Sequence, residues 1–190
     1  MKRIAFGESV QGASHKRNET ECQDSMKKVE FEDGSVILAV ADGHGSKACP
    51  FSKSGSGIAV NVFCKVMQEF YTGYKDDLEL LLTYLNREGD TKVAQAVDEE
   101  WKRRVLIAHT KNKRDVPLTS DGEKDKAEIY KEYGTTLVGL MITPIFLFAF
   151  QIGDGDITYV DDTGVEEVLA ADKILGTETH SLSKADAWKK

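Results

Sequence analysis

One short apolar run that ends in an acid constrains this chain more than any other stretch. Residues 36–45 read VILAVADGHG. The run is short and rich in β-branched side chains, so it predicts a buried strand rather than a helix. Such a strand would hold the carboxylate of Asp42 in a fixed direction, while the glycines after it let the backbone turn and point the Gly43 carbonyl at the same ligand. His44 adds a group that can titrate near neutral pH.

The dipeptide Asp33-Gly34 precedes this run and predicts a hairpin. It lies between two candidate strands, residues 26–31 and 35–41. A single Asp-Gly pair is most often an ordinary turn, but this pair between two apolar strands is a hairpin signature. With a two-residue turn, Glu32 pairs with Ser35 and the pairing continues outward along both strands.

This register would bring metal ligands together at the open end of the hairpin. Asp24 falls opposite Gly43, with Asp42 beside it. Two carboxylates and a carbonyl are hard oxygen ligands, which suit Mg²⁺ or Mn²⁺ rather than zinc. We therefore expect a site for one of these ions there.

The rest of the chain predicts an α+β fold built on antiparallel hairpins. A second hairpin is expected over residues 134–152, with Thr143-Pro144 as its turn. A first strand is predicted over residues 3–10, and polar loops over residues 11–20 and 110–126. Amphipathic helices are predicted over residues 57–71, 76–86 and about 93–109. Hairpins separated by helices indicate an α+β architecture with antiparallel sheet.

The composition limits the class of partner. The 190 residues are 41% hydrophobic and 30% charged, which is typical of a soluble globular domain. A net charge of −7 and a pI of about 5.2 argue against nucleic acid or an anionic membrane surface as partner. The three cysteines form neither a CxxC pair nor an even disulfide framework, which indicates reduced thiols in a cytoplasmic protein.

Further motifs flank the central run, in order along the chain. With that run they are Gly12-Ala13-Ser14-His15, Cys22-Gln23-Asp24-Ser25, Ala39-Val40-Ala41-Asp42-Gly43-His44-Gly45, Tyr133-Gly134-Thr135-Thr136-Leu137 and Ile152-Gly153-Asp154-Gly155. Together they resemble the protein phosphatase 2C family of metal-dependent serine/threonine phosphatases, and the opening motifs are most similar to its bacterial branch. The resemblance implies one domain over residues 1–190, folded as a four-layer αββα sandwich of two mainly antiparallel sheets flanked by helices.

The resemblance also implies a chemistry. It is the hydrolysis of phosphoserine or phosphothreonine in a phosphorylated protein by a water activated by two Mg²⁺ or Mn²⁺ ions, with a third ion in some members. At the matching positions Asp42 would bridge the metals, Asp24 and the Gly43 carbonyl would complete their protein ligands, and Asp154 would serve the third ion. His44 would be the general acid that protonates the leaving group.

The substrate phosphate is expected at the loop before Asp24. Family members commonly carry a basic residue shortly before this aspartate, whereas this chain has Glu19 at that spacing. Arg17 is the preferred replacement because its fork can bind phosphate bidentately, and His15 is a second candidate. A solvated basic loop is the alternative.

The chain departs from the family pattern after Asp154. Members normally carry two further aspartates, in Asp-Gly and Asp-Asn contexts, and neither context follows Asp154-Gly155 here. We therefore expect a C-terminally truncated chain that is weak or inactive by itself. The alternative is a catalytically inactive phosphatase-like module that binds phosphoproteins or a regulatory partner.

Overall fold

The computed structural model describes residues 4–169 and 180–189. The strands in this part are β1 (Ser25–Glu30), β2 (Val36–Ala41), β3 (Leu137–Ile142), β4 (Leu147–Ile152), β5 (Ile157–Asp161) and β6 (Gly164–Leu169). The α-helices are α1 (Ala13–Arg17), α2 (Ser52–Tyr74), α3 (Leu78–Glu88), α4 (Ala94–Lys111) and α5 (Lys126–Glu132). A π-helical turn (Gly89–Val93) joins α3 to α4, and a 3₁₀ turn covers Ala187–Lys189.

The centre of the fold is a four-stranded antiparallel sheet in the order β1-β2-β3-β4, with β5 and β6 paired separately. Helix α2 lies across one face of the sheet. The ring of its buried Phe63 covers Gly139 of β3 and lies 5.5 Å from the ring of Phe150 on β4. The apolar core fills the space between this face and helices α2 to α4. The predicted α+β sandwich of antiparallel sheets and helices is confirmed.

The N-terminal segment lies along β1, on the face of the sheet opposite to α2. The Lys28 ammonium donates to the carbonyl of Ala5 at 2.6 Å, and the Ala5 N–H donates to Glu30 at 3.4 Å. These are side-chain contacts and not a backbone ladder. The strand predicted over residues 3–10 is therefore wrong for residues 4–10, which form no strand.

The first hairpin has a three-residue turn, so the predicted register is wrong by one residue. Glu30 pairs with Val36, and the Phe31 N–H donates to the Ser35 carbonyl at 2.9 Å. Gly34 has a φ of 82°, which favours glycine and is typical of the last position of three-residue hairpin loops. Because Ser25 pairs with Ala41, the next pair outward sets Asp24 directly opposite Asp42, and not opposite Gly43.

The second hairpin turns over four residues instead of the predicted two. Ile142 pairs with Leu147, and the Thr143 hydroxyl accepts from the N–H groups of Ile145 and Phe146 at 3.3 and 3.0 Å. The strand after the turn therefore begins two residues later than predicted. Thr136 therefore comes opposite Gly153, the position that Gly134 would take with a two-residue turn.

The three long helices are confirmed, but their ends differ from the predictions. Helix α2 begins at Ser52, five residues before the predicted start. The polar loop predicted over residues 11–20 contains α1, and a short helix without a prediction, α5, begins at Lys126. The Asp125 carboxylate caps α5 by accepting from the Glu128 N–H at 3.0 Å, a side-chain signal that hydrophobic periodicity does not report.

The contact between α2 and Tyr133 can be tested with two glycines of the same helix. A Cβ atom at Gly55 would lie 1.9 Å from the Tyr133 carbonyl oxygen, whereas one at Gly73 would meet nothing within 4 Å. We expect Gly55→Ala to reduce the free energy of unfolding by roughly 3 kcal/mol because backbone must move to admit the methyl group. Gly73→Ala should raise it by about 0.5 kcal/mol. Urea unfolding measures both, and equal effects of the two substitutions would contradict the packing described.

Candidate active site

The carboxylates of Asp24 and Asp42 meet at the open end of the first hairpin. The register of β1 and β2 sets the two residues opposite each other on the face of the sheet away from α2. The Asp42 carboxyl is within hydrogen-bonding reach of Asp24 and feels the charge of Asp154. The structure thus brings Asp24 and Asp42 together and places Asp154 on the lining of the same cleft.

The surroundings of Asp42 raise its pKa to about 6. The largest cause is partial burial, which disfavours the charged form. The hydrogen bond and negative charge of Asp24 raise the pKa further, as does the charge of Asp154, whereas His15 lowers it. Partial burial and neighbouring negative charge together therefore bring the pKa of this carboxyl near to neutral pH.

A cleft of about 420 Å³ surrounds this pair and is called here the aspartate cleft. Its lining includes Glu8, Asp24, Asp42, Thr136, Val138 and Asp154. Glu8 is a further carboxylate that the sequence analysis missed. Its segment forms no regular structure, so neither periodicity nor register could place it beside the other three.

The backbone at Asp42 is fixed by a clamp of hydrogen bonds from two threonines. The Thr136 N–H and the Thr135 hydroxyl both donate to the Asp42 carbonyl at 2.9 Å, and the Asp42 N–H donates to the Thr136 hydroxyl at 3.0 Å. Thr135 is fully buried and Thr136 nearly so. The two threonines of the Tyr-Gly-Thr-Thr motif, to which the sequence alone gave no role, therefore hold the backbone of Asp42 in place.

Gly43 sits where only a glycine fits. A Cβ atom there would lie 2.8 Å from the carbonyl oxygens of both Gln23 and Ser52. Gly43 also pairs with Thr135 in an isolated antiparallel bridge. The hydrogen bonds of this bridge come from the neighbouring residues: the His44 N–H donates to the Gly134 carbonyl at 3.0 Å, and the Thr136 N–H donates to the Asp42 carbonyl. The Gly43 carbonyl therefore takes no part in the hydrogen bonds of this bridge. A carbonyl that is to bind a metal must be left out of them in this way.

His44 borders a second cavity beyond the aspartate cleft. Its ring packs against Gly134, where a Cβ atom would come within 2.6 Å of the His44 Cδ2. The second cavity measures about 600 Å³ and is also lined by Cys49, Lys131 and Ser181. His44 thus lines this second cavity, two residues along the chain from Asp42.

The two candidate phosphate ligands lie on α1. His15 is close enough to Asp42 to favour its ionised form. Arg17 is exposed in the last turn of the helix, and the contacts found around Asp42 come from other residues. The phosphate role of Arg17 and His15 stays a prediction.

An aromatic cluster supports the segment that follows His44. The Phe51 N–H donates to the Glu132 carbonyl at 2.9 Å, and the Phe51 ring lies 5.4 Å from that of Tyr133. The Arg114 guanidinium stacks 3.4 Å above the Phe51 ring and donates to the Tyr133 hydroxyl. Arg114 belongs to the polar loop over residues 110–126, and it ties that loop to the site.

A comparison with protein families now identifies the chain. A family model described as protein phosphatase 2C matches residues 11–190. This chain belongs to the protein phosphatase 2C family. No curated protein matches it in a sequence comparison. Within residues 4–169 and 180–189, the helices are too short or too polar to cross a membrane.

Protein phosphatase 2C enzymes depend on metal ions, and the donor set here can be compared with that requirement. In the part of the chain that the structure describes, no three carboxylate, imidazole or thiol side chains converge closely enough to hold a metal by themselves. The pair Asp24 and Asp42 does converge, and the pKa of Asp42 is raised first by partial burial and then by the neighbouring negative charges of Asp24 and Asp154. A divalent cation would relieve that repulsion, so the pair and the Gly43 carbonyl fit such an ion.

The raised pKa of Asp42 predicts a dependence of stability on pH in metal-free protein. A carboxyl whose pKa rises from 3.8 unfolded to about 6 folded costs stability as pH rises through that window. Asp42→Asn removes this cost. We expect the variant to match the wild type at pH 4 and to exceed it by about 1 kcal/mol at pH 7.5, after allowance for solvent screening.

The measurement is urea unfolding in the presence of a chelator at both pH values. Asp121→Asn, at an exposed loop position, is the control and should change nothing at either pH. A wild type that is equally stable or more stable than Asp42→Asn at pH 7.5 would contradict the electrostatic account.

Proposed function

We propose that this protein hydrolyses phosphoserine and phosphothreonine in phosphorylated proteins, using Mg²⁺ or Mn²⁺. The observation that carries the proposal is the Asp24–Asp42 pair, held in mutual contact at the end of a hairpin with Asp154 nearby. Membership of the protein phosphatase 2C family supports phosphatase activity in general terms. The serine/threonine specificity and the site roles are part of the proposal.

The metal ligands in this proposal are the carboxylates of Asp24 and Asp42 and the Gly43 carbonyl, with Asp154 for a further ion. When bound, the ions supply a water of lowered pKa and offset the charge of the phosphate. The protein's own part is to fix the donors. The threonine clamp immobilises the Asp42 backbone, and the close packing of Gly43 against Gln23 and Ser52 sets the turn that follows.

Two histidines and an arginine complete the proposed chemistry. His15 lies near Asp42 and is proposed to help hold the phosphate, together with Arg17. His44 is proposed to donate a proton to the leaving oxygen of the serine or threonine, which a neutral-range titrating group can do at physiological pH. Its backbone hydrogen bond to Gly134 fixes the His44 backbone beside Asp42.

The second candidate function is binding of phosphoproteins without hydrolysis. One observation favours it: among the residues described, the aspartate pair is not joined by a third close metal-binding side chain. A site with fewer charges holds divalent ions more weakly. The two candidates differ in whether phosphate is released, so one assay separates them.

The assay is the release of phosphate from a phosphothreonine peptide in the presence of Mn²⁺. We expect the wild type to show weak but measurable activity, and Asp24→Asn and Asp42→Asn to lose at least about a hundredfold of it, since even outer-shell partners of metal ligands cost 10–100-fold. Asp121→Asn should keep full activity. Peptide binding by the wild type without any release of phosphate would favour the non-catalytic candidate. Activity of Asp42→Asn equal to that of the wild type would contradict the assigned site.

The phosphate role of Arg17 can be tested separately with its neighbour as control. Arg17→Ala should raise the KM for the phosphopeptide by roughly tenfold, because a charge-assisted hydrogen bond to phosphate would be lost. Lys16→Ala removes a charge from the same short helix and should change the KM much less. Steady-state kinetics decide the matter, and equal KM changes in the two variants would assign only a general electrostatic effect to Arg17.

A further inference from the structure

The cavity beyond His44 is built from three separate parts of the chain. It measures about 600 Å³ and is called here the His44 cavity. One wall is the segment that follows Gly43, a second is α5, and the third is the segment 181–185. Its size lies in the range of cavities that receive ligands.

Hydrogen bonds tie the walls of the cavity to the support of Asp42. The Ser181 hydroxyl donates to the Thr135 carbonyl at 3.2 Å, and the Leu182 N–H donates to the same carbonyl at 3.0 Å. Ser181 and Leu182 are buried. Thr135 also donates its hydroxyl to the Asp42 carbonyl. One buried threonine therefore fixes the cavity wall and the metal-binding strand end relative to each other.

The lining leaves room for a large apolar side chain. Three of its residues, Ala48, Ala127 and Ala185, carry only a methyl group, and the buried thiol of Cys49 adds a further apolar surface. The ammonium of Lys131, at the exposed side, is already paired with Glu128 at 2.9 Å. Because Lys131 already pairs with Glu128, it would bind an acidic side chain only weakly. The lining therefore favours an apolar occupant.

The distance from the aspartates limits which side chain could enter. His44 follows Asp42 by two residues, which span at most about 7 Å of extended chain. A substrate in extended conformation covers the same distance in about two residues. The edge of the cavity at His44 is therefore within reach of a side chain one or two positions from the phosphorylated residue.

We propose that the His44 cavity is a specificity pocket that receives a large apolar side chain, such as leucine, one or two residues from the phosphorylated serine or threonine. This inference rests on the proposed phosphatase function, because it needs the phosphate at Asp24 and Asp42. The pocket would select among phosphoproteins by the residue beside the phosphate.

The test compares phosphothreonine peptides that carry alanine, leucine or aspartate at each position within two residues of the phosphate. With Mn²⁺, the wild type should show a KM roughly tenfold lower for a leucine peptide than for its alanine counterpart, a typical gain for filling an apolar pocket. Ala127→Phe and Ala185→Phe fill the cavity from exposed positions, so the fold should tolerate them. Both should remove the preference. Thr110→Phe, exposed at the end of α4, should keep it.

Hydrolysis of para-nitrophenyl phosphate, which has no amino-acid side chain beside the phosphate, serves as the internal control. It should be unchanged in both cavity-filling variants. If both variants lose this activity, the cavity supports the reaction site itself and the proposal is overturned. A preference for aspartate peptides, or equal KM values for leucine and alanine peptides, also overturns it.

A direct binding measurement separates failure of the pocket from failure of the proposed function. If the wild type hydrolyses neither the small ester nor any peptide, the phosphatase function is wrong for this chain. Fluorescence anisotropy with the same labelled peptides and Mn²⁺ then decides the inference. Roughly tenfold tighter binding of the leucine peptide, lost in Ala127→Phe and Ala185→Phe, supports the pocket, and equal binding of the leucine and alanine peptides overturns it.

Discussion

The close approach of two like charges at Asp24 and Asp42 is the constraint on which the site depends. Partial burial, together with the repulsion between the two carboxylates in contact, raises the pKa of Asp42 to about 6. The fold accepts this repulsion because the antiparallel ladder of β1 and β2 leaves the two strand ends no other relative position. A divalent cation bound at the pair would offset this repulsion, as the proposed function requires.

The rigidity of that strand end comes from a series of contacts that begins in the core. The buried Trp101 donates its ring N–H to the Gly55 carbonyl at 3.0 Å, and Gly55 in turn packs against the backbone of Tyr133. Two residues further on, Thr135 binds the Asp42 carbonyl. Core packing between α2 and α4 is thereby transmitted to the position of the aspartates, which explains why small residues are needed so far from the cleft.

The sequence predicted the elements and the main aspartates, but not how they meet. The apolar run into Asp42 identified β2, and the Asp-Gly pair identified the hairpin. A third turn residue, with Gly34 in the left-handed region, then changed the register by one, and this change places the two acids face to face. Glu8 was missed because side-chain contacts alone hold its segment. Turn length and tertiary contacts of this kind have no periodic signal along the chain.

The central claim is that Asp24 and Asp42 form a carboxylate pair whose repulsion a divalent cation relieves. Titration of the aspartate carboxyl groups by NMR tests it most directly, first in metal-free protein and then with Mg²⁺, with Asp42→Asn used to assign the signal. The account predicts a pKa of about 6 for Asp42 without metal and a marked fall on addition of Mg²⁺. An ordinary pKa for Asp42 in metal-free protein, or a titration that Mg²⁺ leaves unchanged, would contradict it.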